Sequence, residues 1–247
     1  MSPIVLPVSR PGTSGHYVPV SDAGAGLSWD ALVARAATLA DSATADRRAV
    51  LGITGAPGAG KSTVSAALVA ELTASGRRVV LVGMDAFHLA QVELERLGRT
   101  PRKGAPDTFD VDGYVTLLRR LRTREQRTVY APVFRRDLEE PVACAVPVHP
   151  EADLVVTEGN YLLHDDGEWT QVRGVLDECW YVDVDDALRR ERLAARHLSH
   201  GRSADEAWAR TMGSDEVNAR AVAASRARAD LVVTPEVAAP TDRHTRR

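Results

Sequence analysis

Apolar residues along the chain fall into short unbroken runs separated by stretches of helical periodicity. The runs are Ala49-Val-Leu-Gly-Ile-Thr-Gly55, Arg78-Val-Val-Leu-Val-Gly-Met84, Leu154-Val-Val156, Cys179-Trp-Tyr-Val-Asp183 and Leu231-Val-Val233. Each has strand length and none alternates with polar residues, the pattern of a parallel sheet covered on both faces. Helices between them supply the crossovers that such a sheet requires. Val64, Leu68 and Leu72 recur at fourfold spacing and predict a helix over 62–75, ended by Gly76. Tyr114, Leu117, Leu118 and Leu121 share one face of another. Ser28 or Asp30 can cap an earlier helix through Ala31, Leu32, Ala36 and Leu39. Thr128-Val-Tyr-Ala-Pro-Val-Phe134 reads as a further strand. The prediction is an α/β fold with a doubly wound, mostly parallel five-stranded sheet.

Composition narrows the class. The 247 residues, 44% hydrophobic and 26% charged, suit one folded domain over 29–235. The Gly-, Pro- and Ser-rich start reads as an N-terminal tail over 1–28, and 236–247 as a C-terminal tail. A net charge of −3 argues against a broad attraction to nucleic acid or anionic membrane. Met1 to Val8 is broken by Pro3 and Pro7 and lacks a basic lead, so no signal peptide is expected. Cys144 and Cys179 are too few for a disulfide framework and read as buried thiols in a reducing compartment. A soluble cytoplasmic protein is expected, its oligomeric state open and a homodimer among the options.

The turn after the first run is Gly55-Ala56-Pro57-Gly58-Ala59-Gly60-Lys61-Ser62-Thr63, a full G-x-x-x-x-G-K-S match at a strand-to-helix junction. Glycines there let backbone amides converge on phosphates, where a side chain would block the approach. Lys61 reaches the β- and γ-phosphates, and the Ser62 hydroxyl can ligate Mg²⁺. The following helix points its positive end at the same anions. ATP and Mg²⁺ are therefore the expected cofactors.

Other segments separate the uses of such a loop. A GTPase switch needs a guanine-reading N-K-x-D, and none occurs; Asp110-Val-Asp-Gly113 matches D-x-x-G but follows no apolar strand. ATPase motors usually end a strand in an acidic pair, whereas Val155-Val-Thr-Glu158-Gly159-Asn160 holds one acid followed by Gly. The second run ends Met84-Asp85-Ala86-Phe87-His88. An acid at that point lies beside the phosphate loop, where it can take the proton of an attacking hydroxyl and help orient Mg²⁺. A strand-end cap is the plain alternative.

Phosphoryl transfer also needs positive charge over the γ-phosphoryl oxygens and a cover against water. Arg189, Arg192 and Arg196 fall on one face of a predicted helix that Gly201 ends. Ser203-Ala-Asp-Glu206 is a capping box that opens the next helix. Two helices joined by a short basic turn with Arg202 describe an α-helical lid over about 186–212; a solvated Arg-rich face is the other reading.

Together these pieces resemble the phosphoribulokinase/uridine kinase/pantothenate kinase superfamily of P-loop kinases, from about Ala49 to Thr234. Met84-Asp85-Ala-Phe-His-Leu89 is similar to its D-x-F segment, and Glu158-Gly159-Asn160-Tyr161 to its E-G segment. Arg102-Lys103-Gly104-Ala-Pro106-Asp107-Thr-Phe109-Asp110 is similar to the K-K-G-x-P-E-S-Y-D stretch of bacterial pantothenate kinases. With Glu-Gly-Asn-Tyr-Leu-Leu and Ser214-Asp215-x-x-Asn218-Ala, the chain most resembles a bacterial nucleoside/nucleotide kinase-like branch. The resemblance implies Asp85 as base, Lys61 as phosphate ligand, and Ser62 and Glu158 at Mg²⁺, with lid arginines Arg192, Arg196 and Arg202. His88 stands where uridine kinases place a Tyr, which counts against uridine itself.

Several residues are candidates for choosing the acceptor. Arg102 and Lys103 suit an anionic or polyhydroxyl acceptor, or form a solvated basic loop. His88 can meet a substrate hydroxyl or close the pocket. Arg135 and Arg136 follow the 128–134 strand and are candidates for the acceptor cleft, as is Asn160. Asn218 serves either the substrate or a helix turn. Trp180 and Trp208 read as packing residues. The expected activity is transfer of the γ-phosphoryl group of ATP to a hydroxyl of a nucleoside-like or related metabolite. Pantothenate or a fructose-type sugar is the alternative acceptor, and a nucleotide-dependent switch or partner-binding ATPase is the rival class.

Overall fold

The structure, a computed structural model, describes residues 27–234. The predicted tails over 1–28 and 236–247 lie outside the described residues, save Leu27 and Ser28. Five strands, β1 (Ala49–Thr54), β2 (Val79–Gly83), β5 (Leu154–Glu158), β6 (Glu178–Val182) and β7 (Leu231–Val233), form one sheet in the order β2-β5-β1-β6-β7. Every pairing in it is parallel. β1 lies at the centre with all six residues buried, which its unbroken apolar run requires. Its neighbours are β5 and β6, and β5 stands between it and β2, the second strand in sequence.

Helices cover both faces. α1 (Trp29–Asp41) and α2 (Lys61–Ala74) pack on one, through Leu32, Ala36, Val64, Leu68 and Leu72. Ser28 caps α1, its Oγ accepting from Ala31 N at 3.2 Å. After β2 come a short α3 (Gln91–Arg96) and then α4 (Val111–Arg122), which packs on the other face through Tyr114, Val115, Leu118 and Leu121. Asp110 caps α4 by accepting from Gly113 N at 2.9 Å, so the D-x-x-G match has a structural role.

The predicted strand over 128–134 belongs to a separate sheet. β3 (Val129–Arg135) and β4 (Glu140–Val148) form an antiparallel hairpin whose register shifts between Ala131 and Val133, at Pro132. Val129, Ala131 and Val148 sink its base into the core.

α5 (Asp186–Ser199) and α6 (Ala204–Arg210) form the helical pair beyond β6. Gly201 sits between them at φ +85°, and Ser203 and Glu206 make a reciprocal capping box. A kinked segment, Thr211–Asp215, then leads to α7 (Glu216–Ala223), which packs back on the sheet through Val222. Trp180 is fully buried and donates to Glu178, but Trp208 is 52% exposed on α6 rather than packed. Cys179 is buried as expected; Cys144 is exposed on β4.

Candidate active site

Glycine sets the path of the loop from β1 to α2. At Gly55, φ is +148° and an added Cβ would meet the Val182 carbonyl at 2.5 Å. At Gly58, φ is +83° and an added Cβ would stand 2.7 Å from the Arg189 carbonyl. The loop ends in the first turn of α2, whose free amides and positive end face the same opening. Lys61 is buried and donates to the Ala56 carbonyl at 3.1 Å. Burial pushes its ammonium down to about 8, while Glu158 and Asp85 pull it back up.

The ends of β2 and β5 add the acids. Asp85 lies in the helical turn Met84–Phe87 that follows β2, and Glu158 is the last residue of β5. Ser62 Oγ donates to Glu158 Oε1 at 3.2 Å. Burial, reinforced by repulsion from Asp85, holds Glu158 above the usual carboxylate range. Gly159 is where the two strand ends meet, since a Cβ there would fall 2.4 Å from Met84 Cβ. Among the described residues no three acids, histidines or cysteines gather as a metal cage. Ser62 and Glu158 supply two oxygens side by side, which fits a Mg²⁺ ion completed by nucleotide oxygens and water.

One cleft collects these groups and extends past them. Pro57, Gly58, Lys61, Ser62, Asp85, Glu158 and Asn160 line it on one side. His88, Lys103, Phe134, Arg136, Glu139 and Asn218 line the other, and the lid contributes Arg196, His197, Arg202 and Arg210. His88 Nδ1 donates to the Asp85 carbonyl at 2.8 Å, leaving Nε2 as an acceptor. Its ring is flanked by Phe109 at 4.0 Å and Phe134 at 5.1 Å, and burial lowers its pKa.

A Schizosaccharomyces pombe protein provisionally named uridine kinase C227.14 is 33% identical over 214 residues, covering 83% of this chain and 90% of that protein. The chain belongs to the phosphoribulokinase/uridine kinase/pantothenate kinase superfamily of P-loop kinases. A solved structure from Silicibacter sp. TM1040, provisionally described as a fructose transport system kinase, is 40% identical with a TM-score of 0.77. The match covers 84% of this chain and 99% of that one. YFH7 from Saccharomyces cerevisiae shares the fold, with a TM-score of 0.70 at 19% identity over 83% of this chain and 98% of that one. The MeaB family, methylmalonyl-CoA mutase-associated GTPases, also matches, over residues 31–88. That stretch runs from α1 through the phosphate loop to His88 and stops before the hairpin and the lid.

Not every predicted site residue of this P-loop kinase reaches the cleft. Arg135 turns away and pairs with Asp137 at 2.6 Å, whereas its neighbour Arg136 lies 3.5 Å from Asp85. Arg135 is the last residue of β3 and Arg136 the first of the hairpin turn, where the chain changes direction and the two side chains part. Arg102 pairs with Asp107 at 2.6 Å, leaving Lys103 as the cation of its loop that lines the cleft. Arg189 is buried at the root of the lid against Asp186 and Glu216 and does not join Arg196. Arg192 lies over the phosphate loop, its Nη1 3.6 Å from a Cβ built on Gly60. Ala56 and Ala59 face a separate cavity with Asp183 and Glu216, and Thr63 is exposed on α2. Sequence reasoning missed Glu139, Phe134, His197 and Arg210. Only the hairpin turn and the folded-back lid bring these to the cleft, and no local pattern announces either.

Proposed function

We propose that this P-loop kinase transfers the γ-phosphoryl group of ATP to a hydroxyl of a small, hydroxyl-rich metabolite. The observation that carries the reading is that Asp85 lines the same cleft as Lys61, Ser62 and Glu158, with space continuing beyond it. Asp85 takes the proton as the acceptor oxygen bonds to the γ-phosphorus and the bond to the bridging oxygen of ADP breaks. Lys61 and the lid arginines Arg192, Arg196 and Arg202 balance the charge on the transferring group. Ser62 and Glu158 would hold Mg²⁺, which would supply positive charge against the phosphates of the nucleotide. Closure of α5 and α6 over the cleft excludes water, which would otherwise take the acceptor's place.

A sugar-like acceptor fits this cleft better than a nucleoside. A planar base calls for a free aromatic face. Here His88 lies between Phe109 and Phe134, and the Lys103 ammonium stands over Phe134 at 5.9 Å. Apart from Pro57, Gly58, Gly104 and Gly159, the remaining lining is polar or charged. The fructose-related description of the Silicibacter protein points the same way.

The test is ADP production with ATP and Mg²⁺ across a panel of sugars, sugar acids, sugar phosphates, nucleosides and pantothenate. We expect acceptor-dependent turnover that Asp85→Asn lowers by about 10²- to 10⁴-fold while ATP binding is retained. Phosphate release that needs no acceptor and survives Asp85→Asn would instead mark a nucleotide-timed switch.

A further inference from the structure

Cations in the cleft differ from those elsewhere in what they hold. Outside it, arginines are typically matched to carboxylates, as in Arg78–Asp153 at 2.9 Å, Arg102–Asp107 at 2.6 Å and Arg190–Glu216 at 2.8 Å. Lys103 and Arg210 line the cleft with no described carboxylate within 4.0 Å. Lys103 Nζ donates to the Glu139 main-chain carbonyl at 2.8 Å, and Arg210 Nη2 to the Lys103 carbonyl at 3.0 Å. Arg136 has a carboxylate nearby, but at 3.5 Å the contact with Asp85 is longer than a hydrogen-bonded pair. Neutral carbonyls hold Lys103 and Arg210 in place without balancing their charge, so these two remain available to an anion.

Their position matters as much as their state. His88 bonds the Asp85 carbonyl, Phe134 packs against His88, and Lys103 stands over Phe134. Two rings in succession, His88 and Phe134, thus link the Asp85 main chain to the Lys103 ammonium within the one cleft. Two further acids of the cleft do not cancel the set. Asp215 is taken by His197 at 2.7 Å, and Glu139 sits exposed at the rim.

We propose that the acceptor itself carries an anionic group, a carboxylate or a phosphate, which Lys103, Arg136 and Arg210 hold while its hydroxyl meets Asp85. This rests on the phosphotransfer reading above and names the chemical class of its acceptor. Binding of that group draws Arg136 from Asp85 and leaves the carboxylate open to the hydroxyl. A neutral acceptor leaves Arg136 where it is, competing for the base. The guanidinium geometry suits two-pronged capture of either anion.

The full-length protein, saturated with Mg²⁺ and a non-hydrolysable ATP analogue so that the γ position is filled, is titrated with sodium sulfate and separately with sodium acetate. Chloride keeps the ionic strength constant, and the melting temperature is followed. A saturable rise is expected with one or both probes. Sulfate alone indicates a phosphate-bearing acceptor, and acetate alone a carboxylate-bearing one. Arg136→Gln and Lys103→Gln should each weaken the apparent affinity about tenfold or more, whereas Arg135→Gln, facing Asp137, should leave it unchanged. Only linear responses in the wild type, or wild-type affinity in the Arg136→Gln/Lys103→Gln double variant, would overturn the inference and leave the kinase reading intact. Failure to bind the analogue at all would remove both.

Discussion

The wall of the cleft made by β1, β5 and the phosphate loop is fixed by burial, whereas the wall made by residues 102–104, the hairpin turn and the lid is fixed by charge and main-chain hydrogen bonds. On the first, Leu51, Ile53 and Val156 are fully enclosed, and the reactive groups project from the ends of buried strands. On the second, Arg136, Arg196 and Arg202 are exposed and Lys103 is held by a carbonyl. A packed core holds atoms to tight tolerances, while exposed ionic contacts are weak and can be exchanged. On the proposed reading, phosphoryl transfer falls to the rigid wall and choice of acceptor to the adjustable one.

The largest effect we expect would qualify that contrast, because the adjustable wall has one rigid root. Glu216, on α7, bonds Arg190 at 2.8 Å and the buried Arg189 at 2.6 Å. Glu216→Gln leaves the buried Arg189 charge with Asp186, at 2.9 Å, as its remaining carboxylate partner, and a loss approaching about 3 kcal/mol is expected in denaturant unfolding. Hydrogen bonding from Arg190, then Arg189, pulls the Glu216 carboxyl down to about 2. Its folded pKa lies below its ordinary value of 4.5, so its contribution is full above that pH and is lost as pH falls toward about 2. The Gln variant should lack that acid-dependent loss.

Next in size is Gly159→Ala on the rigid wall. The added Cβ meets Met84 at 2.4 Å and must part the ends of β2 and β5. A cost of about 1–3 kcal/mol is expected, with turnover falling more than nucleotide affinity because Asp85 and Glu158 move apart. Equal losses in both would count against two acids working together. Arg102→Ala and Arg135→Ala should each change stability by less than about 0.5 kcal/mol and leave the acceptor KM unaltered; a several-fold rise in KM would put either residue back in the cleft. The smallest signal is a fraction of a proton. Burial holds the Lys61 ammonium at about 8 from an ordinary 10.5, and bound phosphates favour its charged form. Nucleotide binding above about pH 8 should then take up protons, seen as a calorimetric enthalpy that varies with the buffer, and should not do so well below it.

How much of this could be read in advance follows the same division. The five core strands, the phosphate loop, Asp85, Glu158 and the Ser203–Glu206 capping box are local patterns, a few residues long and governed by burial or hydrogen bonding near in sequence. The strand order is not local, and no run of residues announces that β5 stands between β1 and β2. β4 was invisible because Glu-Pro-Val-Ala-Cys-Ala-Val-Pro-Val carries two prolines and small residues, poor strand formers that an exposed hairpin tolerates. Arg135 and Arg136 could not be told apart without knowing where β3 ends and the hairpin turn begins, which is between them. Arg189 has the right helical spacing for the lid face, yet its partner Glu216 lies 27 residues away.

The carbonyls of Lys103 and Gly104 are gripped from three directions: Arg210 at 3.0 Å, Asn218 at 3.2 Å and the Tyr161 hydroxyl at 2.6 Å. None of these bonds depends on which side chain stands at 103, because all of them end on backbone oxygen. The course of this stretch is therefore insulated from its own chemistry. Replacement of Lys103 by a neutral or acidic residue should redirect the enzyme to other metabolites without rebuilding its scaffold, a cheap route by which one ancestral kinase could diversify.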